Sequence, residues 1–193
     1  MLNADFSKHR ITPNDRRKPV QRVLVYFGGS DQYGLSALAL SVLATSEFAG
    51  LKVDVVLGAT NTNWESVRAE AAKRTEVAVY EHLQSLAPLL AQADLAIGAV
   101  GGTTWERMCL GVPTLAAIIA DNQTETASDI AEEGLIELLG PAAKVTAETL
   151  ANGLRKLLNS PERRQHMADN GQELVDGRGV SRVVDELLAL SGQ

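Results

Sequence analysis

Short apolar runs recur along this chain, each closed by glycine or a polar turn and each followed by residues at helical spacing. Val23-Leu24-Val25-Tyr26-Phe27 ends at Gly28-Gly29-Ser30-Asp31 and gives way to a helical pattern from Leu35 to Phe48. Val53 to Leu57 ends at Gly58 and precedes a helical stretch from Thr62 to Lys73, and Val77 to Tyr80 precedes a short helix over Leu83 to Gln92. Asp94 to Ala99 leads through a glycine turn into a helix over Trp105 to Leu110. Pro113 to Ile119 is followed by a helix that opens at Asp121-Asn122-Gln123 and stops at Gly134, and Leu135 to Leu139 reads as a sixth, edge strand. These strands are apolar on both faces, and strands of that kind separated by helices form a parallel sheet covered on each side. The fold class predicted is α/β, a Rossmann-like doubly wound parallel sheet of about six strands.

The tail is expected to be helical, first over Thr146 to Leu158, then from a start marked by Ser160-Pro161-Glu162, in two pieces separated by Gly177-Arg178-Gly179. Residues 1–21 lack apolar periodicity and carry Lys8, His9, Arg10, Arg16, Arg17 and Lys18 around Pro13 and Pro19. They read as a solvated linker or arm, with the folded domain over residues 22–193.

A formal net charge of −6 and a pI near 5.1 argue against nucleic acid as the main partner, because neutralising phosphates needs a basic surface. The single cysteine, Cys109, leaves no intrachain disulfide and no zinc-like cluster, and suits a reducing cytoplasm as buried filler. No stretch is long and apolar enough to span a bilayer, and the N-terminus has no signal-like apolar region, so a cytoplasmic location is expected.

In sheets of this class, ligands lie beyond the carboxyl ends of the strands at the switch point of strand order. Gly28 to Asp31, Gly58, His82, Gly98 to Glu106 and Asp121 to Gln123 all fall at such ends, so five loops converge on one rim. The most informative of them is Gly98-Ala99-Val100-Gly101-Gly102-Thr103-Thr104-Trp105-Glu106-Arg107, a strand end, a glycine turn and a helix start. Unpaired N–H groups and the helix dipole favour an anion there, and glycines let it approach the backbone. Ser30, Thr103 and Thr104 offer hydroxyls to phosphate oxygens. Glu106, one turn into the helix on the side of Thr103, is placed to accept from a pair of sugar hydroxyls.

Each of these residues has a plainer alternative. Thr103 would cap the helix with Glu106 closing a capping box. Asp31 would repel phosphate, so it either caps the following helix or meets a sugar hydroxyl. Asn122 and Gln123 offer amides for sugar hydroxyls or helix capping. His82 is either a proton-transfer group or an ordinary surface histidine, and His9 and His166 take no role. Neither glycine turn spells a dinucleotide fingerprint or a P-loop, and no metal spacing or nucleophile beside a base occurs. The sequence therefore calls for no cofactor and no metal.

Val23 to Asp31, Gly98 to Arg107, Leu110-Gly111-Val112-Pro113 and Ala120-Asp121-Asn122-Gln123 together resemble the C-terminal half of a known family. It is the UDP-sugar hydrolase of pseudaminic acid biosynthesis, which releases UDP from a diacetamido-trideoxy-altropyranose donor. That family is similar to the MurG-like glycosyltransferases and shares their two-domain GT-B fold. The resemblance runs from Arg22 to the C-terminus and implies that this half holds UDP or a UDP-sugar. It implies Gly28, Gly29, Ser30, Thr103 and Thr104 near the diphosphate, Glu106 on the ribose, and the backbone of His82 and Leu83 against uracil. Asp31, Gly98, Gly101, Gly102 and Gln123 belong to the same binding loops, and Asn122 matches an asparagine near the sugar and the hydrolytic centre, a catalytic position.

The family's N-terminal half, with its glycine-rich loop and catalytic histidine, has no counterpart in this stretch. It is the expected partner, in cis or in trans, and the chain alone should bind nucleotide but turn over poorly. Three functions follow as expectations. The first is the UDP-sugar-binding half of a hydrolase in surface or flagellar glycan synthesis. The second is the donor-binding domain of a MurG-like glycosyltransferase. The third is a non-catalytic nucleotide-sugar-binding or docking module, which an exposed apolar patch near the arm would favour.

Overall fold

A computed structural model describes residues 2–11, 15–81 and 83–191. Six strands, β1 (Arg22–Tyr26), β2 (Lys52–Leu57), β3 (Val77–Glu81), β4 (Leu95–Ala99), β5 (Thr114–Ile118) and β6 (Glu137–Pro141), form one parallel sheet in the order β3-β2-β1-β4-β5-β6. The helices are α1 (Ala4–His9), α2 (Leu35–Leu43), α3 (Trp64–Ala71), α4 (Ala87–Gln92), α5 (Gly102–Cys109), α6 (Thr124–Glu132), α7 (Ala147–Leu158), α8 (Pro161–Leu174) and α9 (Gly179–Ser191).

The apolar runs become strands because both faces are covered. Val23, Val25 and Ile97 pack with Leu40 of α2 and Leu150 and Leu154 of α7, whereas Leu24, Val56 and Ala96 pack toward Leu90 of α4 and Cys109 of α5. Successive strand residues thus enter opposite layers, as the two-residue period of a strand requires. Strands β4 and β5 are buried along their whole length, and the edge strands β3 and β6 are only partly so. After β3 at one edge the chain returns to lay β4 beside β1, so the loops after β1 and β4 run to opposite sides and leave a crevice between them.

Some helix ends differ from the pattern-based expectation. α4 begins at Ala87 rather than at Leu83, because Pro88 lacks an N–H and belongs in a first turn, where none is needed. Helix α2 stops at Leu43, and Phe48 is buried in the turns that follow. Asp121–Gln123 is a 3-10 turn ahead of α6, and Ser160 makes no side-chain capping bond although Pro161 does open α8.

The largest difference lies before Arg22, where a solvated arm is expected and a packed one is found. Asn3 caps α1 by accepting from the Asp5 N–H at 3.1 Å, and Phe6 is 2% exposed, in one apolar cluster with Leu90, Cys109 and Leu110. Arg10 donates to the carbonyls of Gln172 and Val175 at 2.8 and 2.9 Å, and Arg16 to those of Ala93 and Gly111 at 2.7 and 2.8 Å. Arg164, 1% exposed, donates to the carbonyls of Leu157 and Leu158 at the end of α7 and to those of Arg16, Arg17 and Lys18 in the arm. Guanidinium groups satisfy carbonyls that helix ends leave unpaired, and their stems cover apolar surface.

Helix α9 has the opposite character. Val180, Val183, Val184, Leu187, Leu188 and Leu190 recur at helical spacing, yet each is between 39% and 68% exposed. Among the described residues, no helix is long and apolar enough to cross a membrane.

If the arm belongs to the cooperative core, Phe6→Ala should lower the unfolding free energy by about 3 kcal/mol, the usual cost of deleting a buried phenyl ring. Urea denaturation checks this, and an unchanged midpoint would put the arm outside the folding unit.

Candidate functional site

The rim beyond the strand ends is built from loops that touch backbone to backbone. A Cβ on Gly58, after β2, would stand 2.4 Å from Gly29 Cα and 2.6 Å from the Gly28 carbonyl oxygen, after β1. The Thr60 N–H also donates to the Gly29 carbonyl at 3.2 Å. On the other side of β1, a Cβ on Gly98 would stand 2.3 Å from the Tyr26 carbonyl oxygen and 2.6 Å from Arg107 Nη1. Glycine is required at both positions by the protein's own packing, whatever ligand the loops accept.

Helix α5 starts at Gly102, directly after this turn. The capping contact is not the expected pair of Thr103 and Glu106. Gly101 holds the capping position, and its N–H donates to Thr104 Oγ1 at 3.0 Å. Thr103 and Glu106 are thereby left facing the cleft.

That cleft has a volume of about 520 Å³ and lies over β1, β2 and the β4–α5 turn. Glu106, Thr103 and Tyr26 line one part of it, Gly29, Val56 and Gly58 another, and Leu83 to Leu86 a third. Burial raises the pKa of the Glu106 carboxyl above its ordinary value, against a smaller pull from Arg107. The Tyr26 phenol is raised too, by burial first and by Glu106 second. A half-buried carboxylate beside a phenol, opposite glycine backbone, can accept hydrogen bonds from hydroxyls of a flat, polar ligand.

The remaining expected residues divide clearly. Asp31 realises its capping alternative: it is 5% exposed, and its two carboxylate oxygens accept from the N–H groups of Leu35 and Ser36 at 2.9 and 3.0 Å. Burial raises its pKa, and those hydrogen bonds oppose the shift. Ser30 is exposed on the loop after β1, and Gly102 opens onto free space, with nothing within 4 Å of where a Cβ would stand. Gln123 is structural, since its Oε1 accepts from the Ile119 N–H at 3.2 Å and its amide nitrogen lies beside Gly101. Asn122 is exposed on the 3-10 turn and is not among the residues lining the cleft. His82 lies outside the described residues.

Several lining residues escaped the sequence reading, Tyr26, Asn3 and Phe6 among them. Tyr26 was hidden as a strand residue, and Asn3 and Phe6 of the arm form a wall of the cleft. Ser85 ties that wall to the loop after β3 by donating to Asp5 Oδ2 at 2.7 Å. The signal in the sequence was Phe6, the one aromatic residue of a segment rich in charge.

Residues 23–180 match the glycosyltransferase family 28 C-terminal domain. The chain belongs to this family. Among curated relatives, this family 28 domain is 32% identical over 171 residues to the spore coat polysaccharide biosynthesis protein SpsG of Bacillus subtilis, covering 86% of the chain and 50% of the relative. It is also 32% identical over 191 residues to the UDP-N-acetylglucosamine–N-acetylmuramyl-(pentapeptide) pyrophosphoryl-undecaprenol N-acetylglucosamine transferase of Stutzerimonas stutzeri, covering 93% of the chain and 52% of the relative. The chain thus spans about half the length of these relatives.

Solved structures agree on the fold. MurG of Acinetobacter baumannii superimposes with a TM-score of 0.69 at 21% identity, covering 92% of this chain and 54% of that one. The UDP-GlcNAc 2-epimerase of Neisseria meningitidis, bound to UDP-GlcNAc, gives 0.68 at 18%, covering 88% and 45%. The family 28 domain is therefore an α/β domain of the kind that forms the C-terminal half of GT-B glycosyltransferases. Of the resemblance noted above, the MurG-like part is established, and the hydrolase assignment is a finer matter.

Glu106 carries a testable cost. Its folded pKa lies above the unfolded one, so the carboxyl costs folding nothing at acid pH, where it is protonated in both states, and destabilises the fold as pH rises from the unfolded value through the folded one. Glu106→Gln should raise the melting midpoint at about pH 7, and the gain should vanish at about pH 3, below the ordinary carboxylate range. Thermal melts at the two pH values check this.

Proposed function

We propose that this family 28 domain is the donor-binding half of a GT-B glycosyltransferase and holds a UDP-sugar in the cleft at the switch point. The observation that carries the reading is Glu106 and Thr103 on one wall of that cleft, opposite the glycine backbone at Gly29 and Gly58. In this reading the diphosphate lies on the start of α5, against the N–H groups near Gly101 and Gly102 and the hydroxyls of Thr103 and Ser30. Glu106 accepts from the two ribose hydroxyls, and the backbone of Leu83 borders the uracil. The sugar extends toward the turn that carries Asn122 and Gln123. The domain binds and orients the donor, and a second half, in cis or in trans, supplies the acceptor site and the groups that move protons. No step calls for nucleic acid, a cofactor or a metal.

A UDP-sugar hydrolase of the pseudaminic acid type is the second reading, since it would use the same donor half. The family match and the two relatives named as a polysaccharide biosynthesis protein and a transferase favour transfer. The exposed apolar face of α9 supports pairing with a second half, and it also suits the docking-module reading.

Calorimetric titration with UDP tests the binding role. Glu106→Ala should weaken UDP binding by about ten- to a hundredfold, the loss expected for two hydrogen bonds to a charged group. A folded wild-type chain that binds no UDP would overturn the reading. Product analysis of the domain together with its second half separates the two enzymatic readings: sugar on an acceptor means transfer, and free sugar with UDP means hydrolysis.

A further inference from the structure

Beneath the β4–α5 turn lies a charge that the packing does not explain. Arg107 is 3% exposed, and among the described residues its guanidinium meets no carboxylate within ion-pair distance. Nη2 donates to the Ala99 carbonyl at 2.7 Å and to Thr104 Oγ1 at 3.1 Å, and Nη1 donates to Thr103 Oγ1 at 3.4 Å. Nε is buried without a hydrogen-bond partner. Burial lowers the Arg107 pKa to about 10, with Glu106 opposing, so the group is still charged at neutral pH. A buried, incompletely paired cation is costly to folding, and an apolar side chain of similar volume would cost less.

The hydroxyls above it show what the charge does. Thr104 Oγ1 accepts from both the Gly101 N–H and Arg107, which fills its two acceptor positions. Thr103 Oγ1 accepts from Arg107 on the protein side, and Thr103 lines the cleft. Its own O–H is then free to donate on the cleft side, which suits an anion. Gly98 makes the seat possible, because any Cβ there would stand 2.6 Å from Nη1.

We propose that Arg107 is a positioning residue for the diphosphate of the donor, fixing Thr103 as a hydroxyl donor into the cleft and placing an unneutralised positive charge beneath the turn. The inference rests on the nucleotide-sugar reading above. It makes the site selective for the phosphorylated part of the ligand without a basic side chain touching it.

The test is binding of UDP and of uridine, by direct and competition calorimetry, to the wild-type chain and to Arg107→Met, Arg107→Lys and Thr103→Val. Arg107→Met should weaken UDP about tenfold or more and change uridine less than about threefold, as expected when only charge-assisted contacts to phosphate are lost. Arg107→Lys should recover most of the UDP affinity, and Thr103→Val should lose part of it with uridine unchanged. A purely structural residue would weaken both ligands together, and that result, or no loss at all, overturns the proposal while leaving the donor-binding reading intact. A wild-type chain that binds neither ligand overturns both. If Arg107→Met does not melt cooperatively, Thr103→Val decides: unchanged UDP affinity there overturns the proposal.

Discussion

The pairing of β1 with β4 is the contact on which the remaining structure depends. It sets Val25 beside Ile97 and Tyr26 beside Gly98 in the middle of the sheet, and it divides the loops after these strands to opposite sides. A parallel sheet that doubles back at its centre has one crevice at its carboxyl edge, and the cleft is there. The same pairing brings the Tyr26 carbonyl against Gly98 so closely that no side chain fits, and the space left over is taken by the Arg107 guanidinium.

Around the cleft, burial works against ionisation. Glu106 and Tyr26 are raised and Arg107 is lowered, each chiefly by desolvation, so for three groups in or under one rim the charged form is less favoured than it is in water. Stabilising polar contacts lie elsewhere. Arg22 meets the buried Asp54 through two hydrogen bonds at 2.6 and 3.2 Å near the opposite end of β1, and Arg164 gathers five carbonyls where the arm meets α7. Beneath the cleft, Arg107 Nε is buried without a hydrogen-bond partner, and a charge fixed in place before the ligand arrives is what preorganised binding of an anion requires.

Much of this was legible from residue patterns. The strands are apolar on both faces, and that pattern alone points to a covered parallel sheet. Proline and glycine marked several helix starts and stops, at Pro161, Gly134 and Gly179. Within the candidate site, Thr103 and Glu106 were found from the spacing of a helix start. Their alternative role as a capping box failed because Thr104, one residue on, made the capping contact instead. Asp31 went the other way, since its carboxylate is fully engaged by two backbone N–H groups.

The arm shows where sequence reasoning runs out. Arg10, Arg16 and Arg17 form part of a charged stretch without periodicity, and nothing local says that carbonyls 77 to 165 positions away in the chain await two of them. Tyr26 looks like any aromatic residue in a strand until the loop after β4 brings Glu106 to it. The sequence by itself determined the elements from Arg22 onward, their parallel arrangement and the glycine turn before a helix start, because these follow from local periodicity and backbone chemistry. Only the tertiary structure decided that the arm is a wall of the cleft, which carboxylate is a cap and which is free, and that a buried arginine stands beneath Thr103. Those depend on which distant groups meet, and hydrogen-bond partners far apart in the chain leave no spacing to read.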